Sequence, residues 1–156
     1  GIFHGAMALY FDRWFNKPAA RLPQDQRATD LLPREAGDLS DSLLSLLDTQ
    51  AQTDEAGRIA YRYLSLGHSR KDIQNQLGHI LLREDAEFHS FQMVEAAFAQ
   101  VEELDEARAR MPIVALSRYL AAHAPTARSL QQTANLAMRL HRGEDLSAED
   151  PDEEVV

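Results

Sequence analysis

The chain has 156 residues, 44% hydrophobic and 26% charged, the balance of one ordinary domain with a real core. It has no Cys, which excludes disulfides, thiol catalysis, zinc fingers and Cys-ligated iron–sulfur clusters within this chain. No apolar run approaches the roughly 20 residues a membrane helix needs, and no basic stretch with a small-residue cleavage site opens the chain, so the expected location is the cytoplasm and no membrane partner is expected. The net charge of −9 is concentrated in the last residues. Residues 144–156, EDLSAEDPDEEVV, hold seven acids and no Lys or Arg, and the rest of the chain sets 16 basic residues against 18 acidic ones. Residues 144–156 therefore read as a disordered acidic tail and 1–143 as a single helical domain. A body so close to neutral has no basic stripe, which disfavours nucleic acid as a partner.

In chain order, the opening GIFHGAMALYFDRWFNKP places Ile2, Phe3, Met7, Tyr10, Phe11 and Trp14 at helical spacing until Asn16 and Pro18 stop it. An amphipathic helix that begins at once, without a cap, suggests the C-terminal part of a longer protein. Residues 17–38, with Pro18, Pro23, Pro33 and Gly37, read as a long connection with a helical turn at QRATDLL. Asp38 or Ser40 is positioned to cap a helix carrying Leu43, Leu44, Leu46 and Leu47. Thr53 is positioned to cap the next, which runs through Ile59, Ala60, Tyr63 and Leu64 to a stop at Gly67.

Ser69 and Asp72 resemble a capping box with Asp in place of Glu. They open the longest predicted helix, about 70–102, with a core stripe of Ile73, Leu77, Ile80, Leu81, Phe88, Phe91, Val94 and Phe98. EELDEARARM reads as a polar bridge to a helix that starts at Pro112 and ends near Ala122. Thr126 is positioned to cap the last helix, 127–141, which stops at Gly143. Met7, Met93, Met111 and Met138 read as core filler. No segment alternates like a strand. The expectation is an all-α, irregular bundle of five to six helices.

The densest chemistry is LLREDAEFHSFQ, residues 81–92. On a continuous helix, Asp85 and His89 stand four residues apart on one face, a spacing that suits two ligands on one metal or a carboxylate orienting an imidazole. Arg83 and Glu87 form a second four-residue pair, and Glu84 turns either toward a partner or toward water. His79 lies on a neighbouring strip. The spacing is neither Glu-x-x-His nor His-Glu-x-x-His. The plainer reading is a solvated polar edge with Arg83 paired to Glu87. His4, among aromatic residues and beside Gly5, is either a satisfied core histidine or a further ligand. His123 and His141 end helices, where a charged imidazole suits the helix dipole.

The stretches FHGAMALYFDRWFNKPAARLP, LGHILLREDAEFHSFQMVEAAFAQ and RYLAAHAPTARSLQQTANLAMRLHRGEDL resemble the helical C-terminal region of larger bacterial Rieske-type 2Fe–2S proteins of uncharacterised function. The resemblance covers most of the chain. It implies a helical partner domain, oxygenase-like, without the cluster-binding part, since the cluster needs Cys and His ligands. It also raises His4, Glu84 and His89 as ligand candidates.

Two functions compete. One is the helical part of an oxidoreductase or oxygenase-like protein with a metal site at His4, Glu84, Asp85 and His89, and His79 as a secondary candidate. Iron is favoured by mixed imidazole and carboxylate ligands, and zinc is compatible. The other is a structural or interaction domain that docks through an apolar helix face, on a missing N-terminal region or on a second copy in a homo-oligomer.

Overall fold

The computed structural model describes residues 2–14 and 21–144, apart from the side chains of Ile2, His4, Leu9, Asp12 and Arg13. The acidic segment 145–156 lies outside the described residues. The class is all-α: eight α-helices and a short 3-10 turn, with no strand among the described residues. In order they are α1 (Ile2–Trp14), the turn Pro23–Asp25, α2 (Arg27–Asp30), α3 (Ala36–Leu46), α4 (Thr53–Ser65), α5 (Arg70–Arg83), α6 (Phe88–Glu103), α7 (Glu106–His123) and α8 (Ser129–His141). No helix is long and apolar enough to cross a membrane.

Two elements account for the excess over five to six helices. The turn expected at QRATDLL is a helix of its own, α2. Residues 21–35 are not an open loop, since the Thr29 hydroxyl donates to the Pro23 carbonyl (2.7 Å) and both residues are buried. The second element corrects the helix expected over 70–102, which breaks into α5 and α6 at Glu84–Glu87. The Glu84 N–H still bonds the Ile80 carbonyl, but its backbone has already turned extended (φ −88°, ψ 159°). The break shifts the phase of α6. Phe88 and Phe91, expected in the core, are 71% and 49% exposed, while Val94, Ala97 and Val101 face inward. The four methionines are not core filler either, for all of them are exposed.

Several stops and starts are where local chemistry puts them. Ser69 caps α5 by accepting from the Asp72 N–H (3.2 Å). Gly67 (φ +82°) and Gly143 (φ +78°) end α4 and α8 in the left-handed conformation that glycine adopts without penalty. Others differ. α3 starts at Ala36 after Glu35, so Asp38 and Ser40 lie inside it. α4 has Gln52 at its N-cap, with Thr53 as its first residue. α7 begins at Glu106, because the Asp105 carboxylate accepts from the Arg108 N–H (3.0 Å) and caps it. Pro112 thus sits within the second turn and is buried, where its ring adds apolar surface to the core.

The core is built on the α4–α7 pair, with α6 laid along α7 and α3 along α4, and with α5 touching α3, α6 and α7. Leu39, Leu43, Leu47, Ile73, Leu77, Ile113 and Leu116 are at most 1% exposed. Each such side chain contributes about 1.5–3 kcal/mol by leaving water. At the α4–α7 crossing a glycine is required by space: a Cβ on Gly57 would stand 2.9 Å from Cγ of Arg118, which crosses over it to pair with Asp54.

Candidate functional site

The break at Glu84–Glu87 faces a second break, Ala124–Arg128, between α7 and α8. Together they form a polar corner beside a cavity. The Ala124–Pro125 bond within the second break is cis.

Glu84 is buried, 8% exposed, and both of its carboxylate oxygens are engaged. Oε2 accepts from the Thr126 N–H (2.7 Å) and hydroxyl (2.8 Å), and Oε1 accepts from Arg128 Nε (3.1 Å) and Arg83 Nε (3.0 Å). Burial alone would raise the Glu84 carboxyl, but the Thr126 and Arg128 hydrogen bonds outweigh it and hold it below its usual value. Asp48, just beyond the end of α3, pairs with both Arg128 and Arg83. The hydrogen bond from Arg128 holds Asp48 low, and the same contact raises the Arg128 guanidinium.

Asp85 does a different job. Oδ1 accepts from the Leu130 N–H (2.8 Å), and Oδ2 accepts from the Ser129 N–H (2.9 Å) and hydroxyl (2.7 Å). These are the first N–H groups of α8, so Asp85 caps a helix that begins 44 residues later in the chain. The Leu130 N–H, then the two Ser129 groups, keep its carboxyl below the ordinary value. α8 has no acid in its own first turn and no cap bond from its own N-cap residue, Arg128. Arg128 takes φ +55°, which costs a non-glycine residue about 1–2 kcal/mol. That conformation aims its guanidinium at Glu84 and Asp48 while its backbone launches α8 toward Asp85.

A cavity of about 280 Å³ opens beside this corner. Ile80, Leu81 and Leu120 supply its apolar lining, and Glu84, Asp85 and Thr126 form one wall. Glu87, His89, Ser90, Tyr119 and His123 complete it. His123 Nδ1 lies 2.8 Å from the Tyr119 carbonyl and His89 Nδ1 lies 3.2 Å from Gln92 Oε1. The Tyr119 carbonyl is an acceptor, so His123 donates to it from Nδ1.

Of the residues singled out by sequence, the structure brings Glu84, Asp85 and His89 to this one cavity. Asp85 and His89 do not share a helical face, because the chain is not helical between them. Arg83 pairs with Glu84 and Asp48 instead of Glu87. His79 is exposed on α5 and does not line the cavity. The side chain of His4 lies outside the described residues. Among the described residues no group of three or more His, Asp or Glu is placed to hold a metal ion. Sequence reasoning missed Arg128, Asp48 and the cavity role of His123. The available signal was in α8, a helix with no acid in its first turn, and in two adjacent acids at a point where the apolar stripe changes phase.

The fold and corner define an all-α bundle in which two helix–helix junctions are locked by buried carboxylate–arginine chemistry. No protein-family model, curated protein or solved structure matches this chain.

Proposed function

We propose that this chain is an interaction domain that pairs with a second copy of itself through α8. One observation carries the reading. α8 is fixed at its N-terminus by Asp85, yet none of its 13 residues is buried. At 100° per residue, Leu130, Thr133, Ala134, Ala137, Met138 and Leu140 fall on one half of the helix with His141 at its end, and Gln131, Gln132, Asn135, Leu136 and Arg139 on the other. On the apolar half, Leu130, Met138 and Leu140 are 59%, 52% and 57% exposed. A lone exposed leucine needs no explanation, but a whole apolar helix face marks a contact surface.

A second copy fits that face because its order is close to palindromic. In an antiparallel pair, Leu130 meets the partner's Leu140 and Ala134 meets the partner's Ala137, so large residues close the ends and small ones let the helix backbones approach. The same arrangement sets Arg139 against the partner's Gln131 and Gln132, away from the partner's Arg139. A pair of helices this short buries less than the roughly 1,600 Å² of a standard interface, which points to micromolar affinity.

Sedimentation or light scattering between about 1 and 200 µM tests this, since a micromolar Kd puts the transition in that range. The expected result is a monomer–dimer equilibrium that is lost in the Leu130→Asp/Leu140→Asp double variant while helical circular dichroism is retained. A chain that stays monomeric throughout, or a dimer indifferent to both substitutions, would overturn the reading.

A further inference from the structure

We propose that the cavity between the α5–α6 and α7–α8 corners binds a small organic cation, a primary amine carried on an apolar body about the size of one ring. The site is separate from the α8 face, for no residue of α8 lines it. Size comes first. At about 280 Å³ the cavity lies at or below the lower end of sites for drug-sized ligands, which span about 300–1,000 Å³, so its occupant is a single ring or a short branched chain. The apolar part of the lining, Ile80, Leu81 and Leu120, is at least 95% buried and asks for a hydrocarbon body.

The polar lining selects the charge. Glu84 and Asp85 face the cavity with their oxygens already occupied by Thr126, Arg128, Arg83 and the start of α8. Glu87 is different. It is the N-cap residue of α6, yet its side chain caps no N–H of that helix, and no ion pair engages it among the described residues. Among the described residues nothing donates to its carboxylate, which is exposed at the cavity. His89 and His123 line the same cavity, and His123 donates from Nδ1 to the Tyr119 carbonyl. Among the described residues no Lys or Arg lines the cavity. An ammonium group is drawn to the Glu87 carboxylate, while its hydrocarbon body fits the apolar lining. An anion would meet Glu87 with only the Ser90 and Tyr119 hydroxyls as side-chain donors.

Three probes of one shape separate the contributions: benzylamine, benzyl alcohol and benzoate. Titration is followed by calorimetry and by the imidazole resonances of His89 and His123. Benzylamine should saturate and shift both rings, benzyl alcohol should bind about tenfold or more weakly, and benzoate should not bind, since hydrogen bonds to charged groups are the stronger ones. Glu87→Gln should weaken benzylamine by about tenfold or more, with Glu87→Asp in between, and should leave helical content and the monomer–dimer equilibrium unchanged. The proposal falls if benzoate or benzyl alcohol matches benzylamine, if Glu87→Gln binds it as well as the parent does, or if benzylamine shows no saturation by about 10 mM, a Kd too weak for a built site. Because dimerisation is read separately, failure here leaves the α8 reading standing, and failure of dimerisation leaves this one standing.

Discussion

The carboxylate of Asp85 accepts the Leu130 N–H at 2.8 Å, so that α8 is capped by a residue from the far end of the α5–α6 junction. Helix caps are usually supplied by the residue just before the helix. Here that residue is Arg128, whose side chain points the other way, into Glu84 and Asp48. Asp85→Ala is therefore expected to free three donors at the start of α8. The helix should fray, with a loss of helical circular dichroism of up to its 13 residues and faster amide exchange confined to α8. Asp85→Asn, which keeps an acceptor, should fall between. Unchanged exchange at Leu130 and beyond would show that the cap does not hold the helix.

Glu84 and Arg128 make the second prediction. Of the five donor contacts to the buried Glu84 carboxylate, Arg128 supplies two, and its loss leaves Arg83 as the remaining cation. Removing one partner of a buried pair typically costs about 3–5 kcal/mol. Arg128 is partly exposed and Arg83 still pairs with Glu84, so Arg128→Ala should cost less than that, about 1.5–3 kcal/mol by urea unfolding. Glu84→Leu should cost at least as much as Arg128→Ala, because it strands the Thr126 N–H and hydroxyl and both guanidiniums. The double variant should be less destabilised than the sum of the two by at least about 1 kcal/mol. Strict additivity would mean that the pair contributes no coupling.

The pH dependence follows from the same corner. The carboxyls of Glu84, Asp85 and Asp48 are all held below their ordinary values. A depressed native pKa means that the unfolded chain takes up protons first as pH falls. Stability from these groups is therefore fully present above the unfolded values, about 3.9 for Asp and 4.3 for Glu, and is lost as pH drops through the lower native values. Urea midpoints measured from pH 7 down to about 3 should fall steeply below about pH 4.5, and less steeply in the Glu84→Gln/Asp85→Asn variant. An equal slope in parent and variant would assign the acid sensitivity to other carboxylates.

Much of the bundle was legible because its causes are local. The Leu43 and Leu47 stripe, the Ser69 cap and the Gly67 and Gly143 stops each depend on residues a few positions apart, and each appears in the structure. The break at Glu84 was not legible, because what ends α5 there is Thr126 and Arg128, more than 40 residues away. Read locally, Asp85 and His89 form a helical pair; read in three dimensions, one caps α8 and the other lines a cavity. The dozen residues 81–92 straddle a helix break instead of lying on one helical face. Asp105 was a local signal that was overlooked, since it caps α7 from a stretch taken as a polar bridge.

The α4–α7 crossing gives a prediction whose sign depends on the background. Glycine inside a helix is worse than alanine by about 1 kcal/mol, so Gly57→Ala would ordinarily stabilise α4. At this position the new Cβ would stand 2.9 Å from Arg118 Cγ and 3.1 Å from its Cδ. Those atoms lie in the middle of the side chain, with the guanidinium held by Asp54 at 2.5 Å, so they cannot move without giving up that pair. Overpacking of this kind costs about 1–3 kcal/mol, which exceeds the helix gain. Gly57→Ala alone should therefore lower thermal stability. In an Arg118→Ala background the obstruction is gone, and the same substitution should raise it by up to about 1 kcal/mol. Calorimetry on the four proteins of this cycle decides the matter. If Gly57→Ala has the same sign in both backgrounds, close approach by Arg118 is not what requires glycine at position 57.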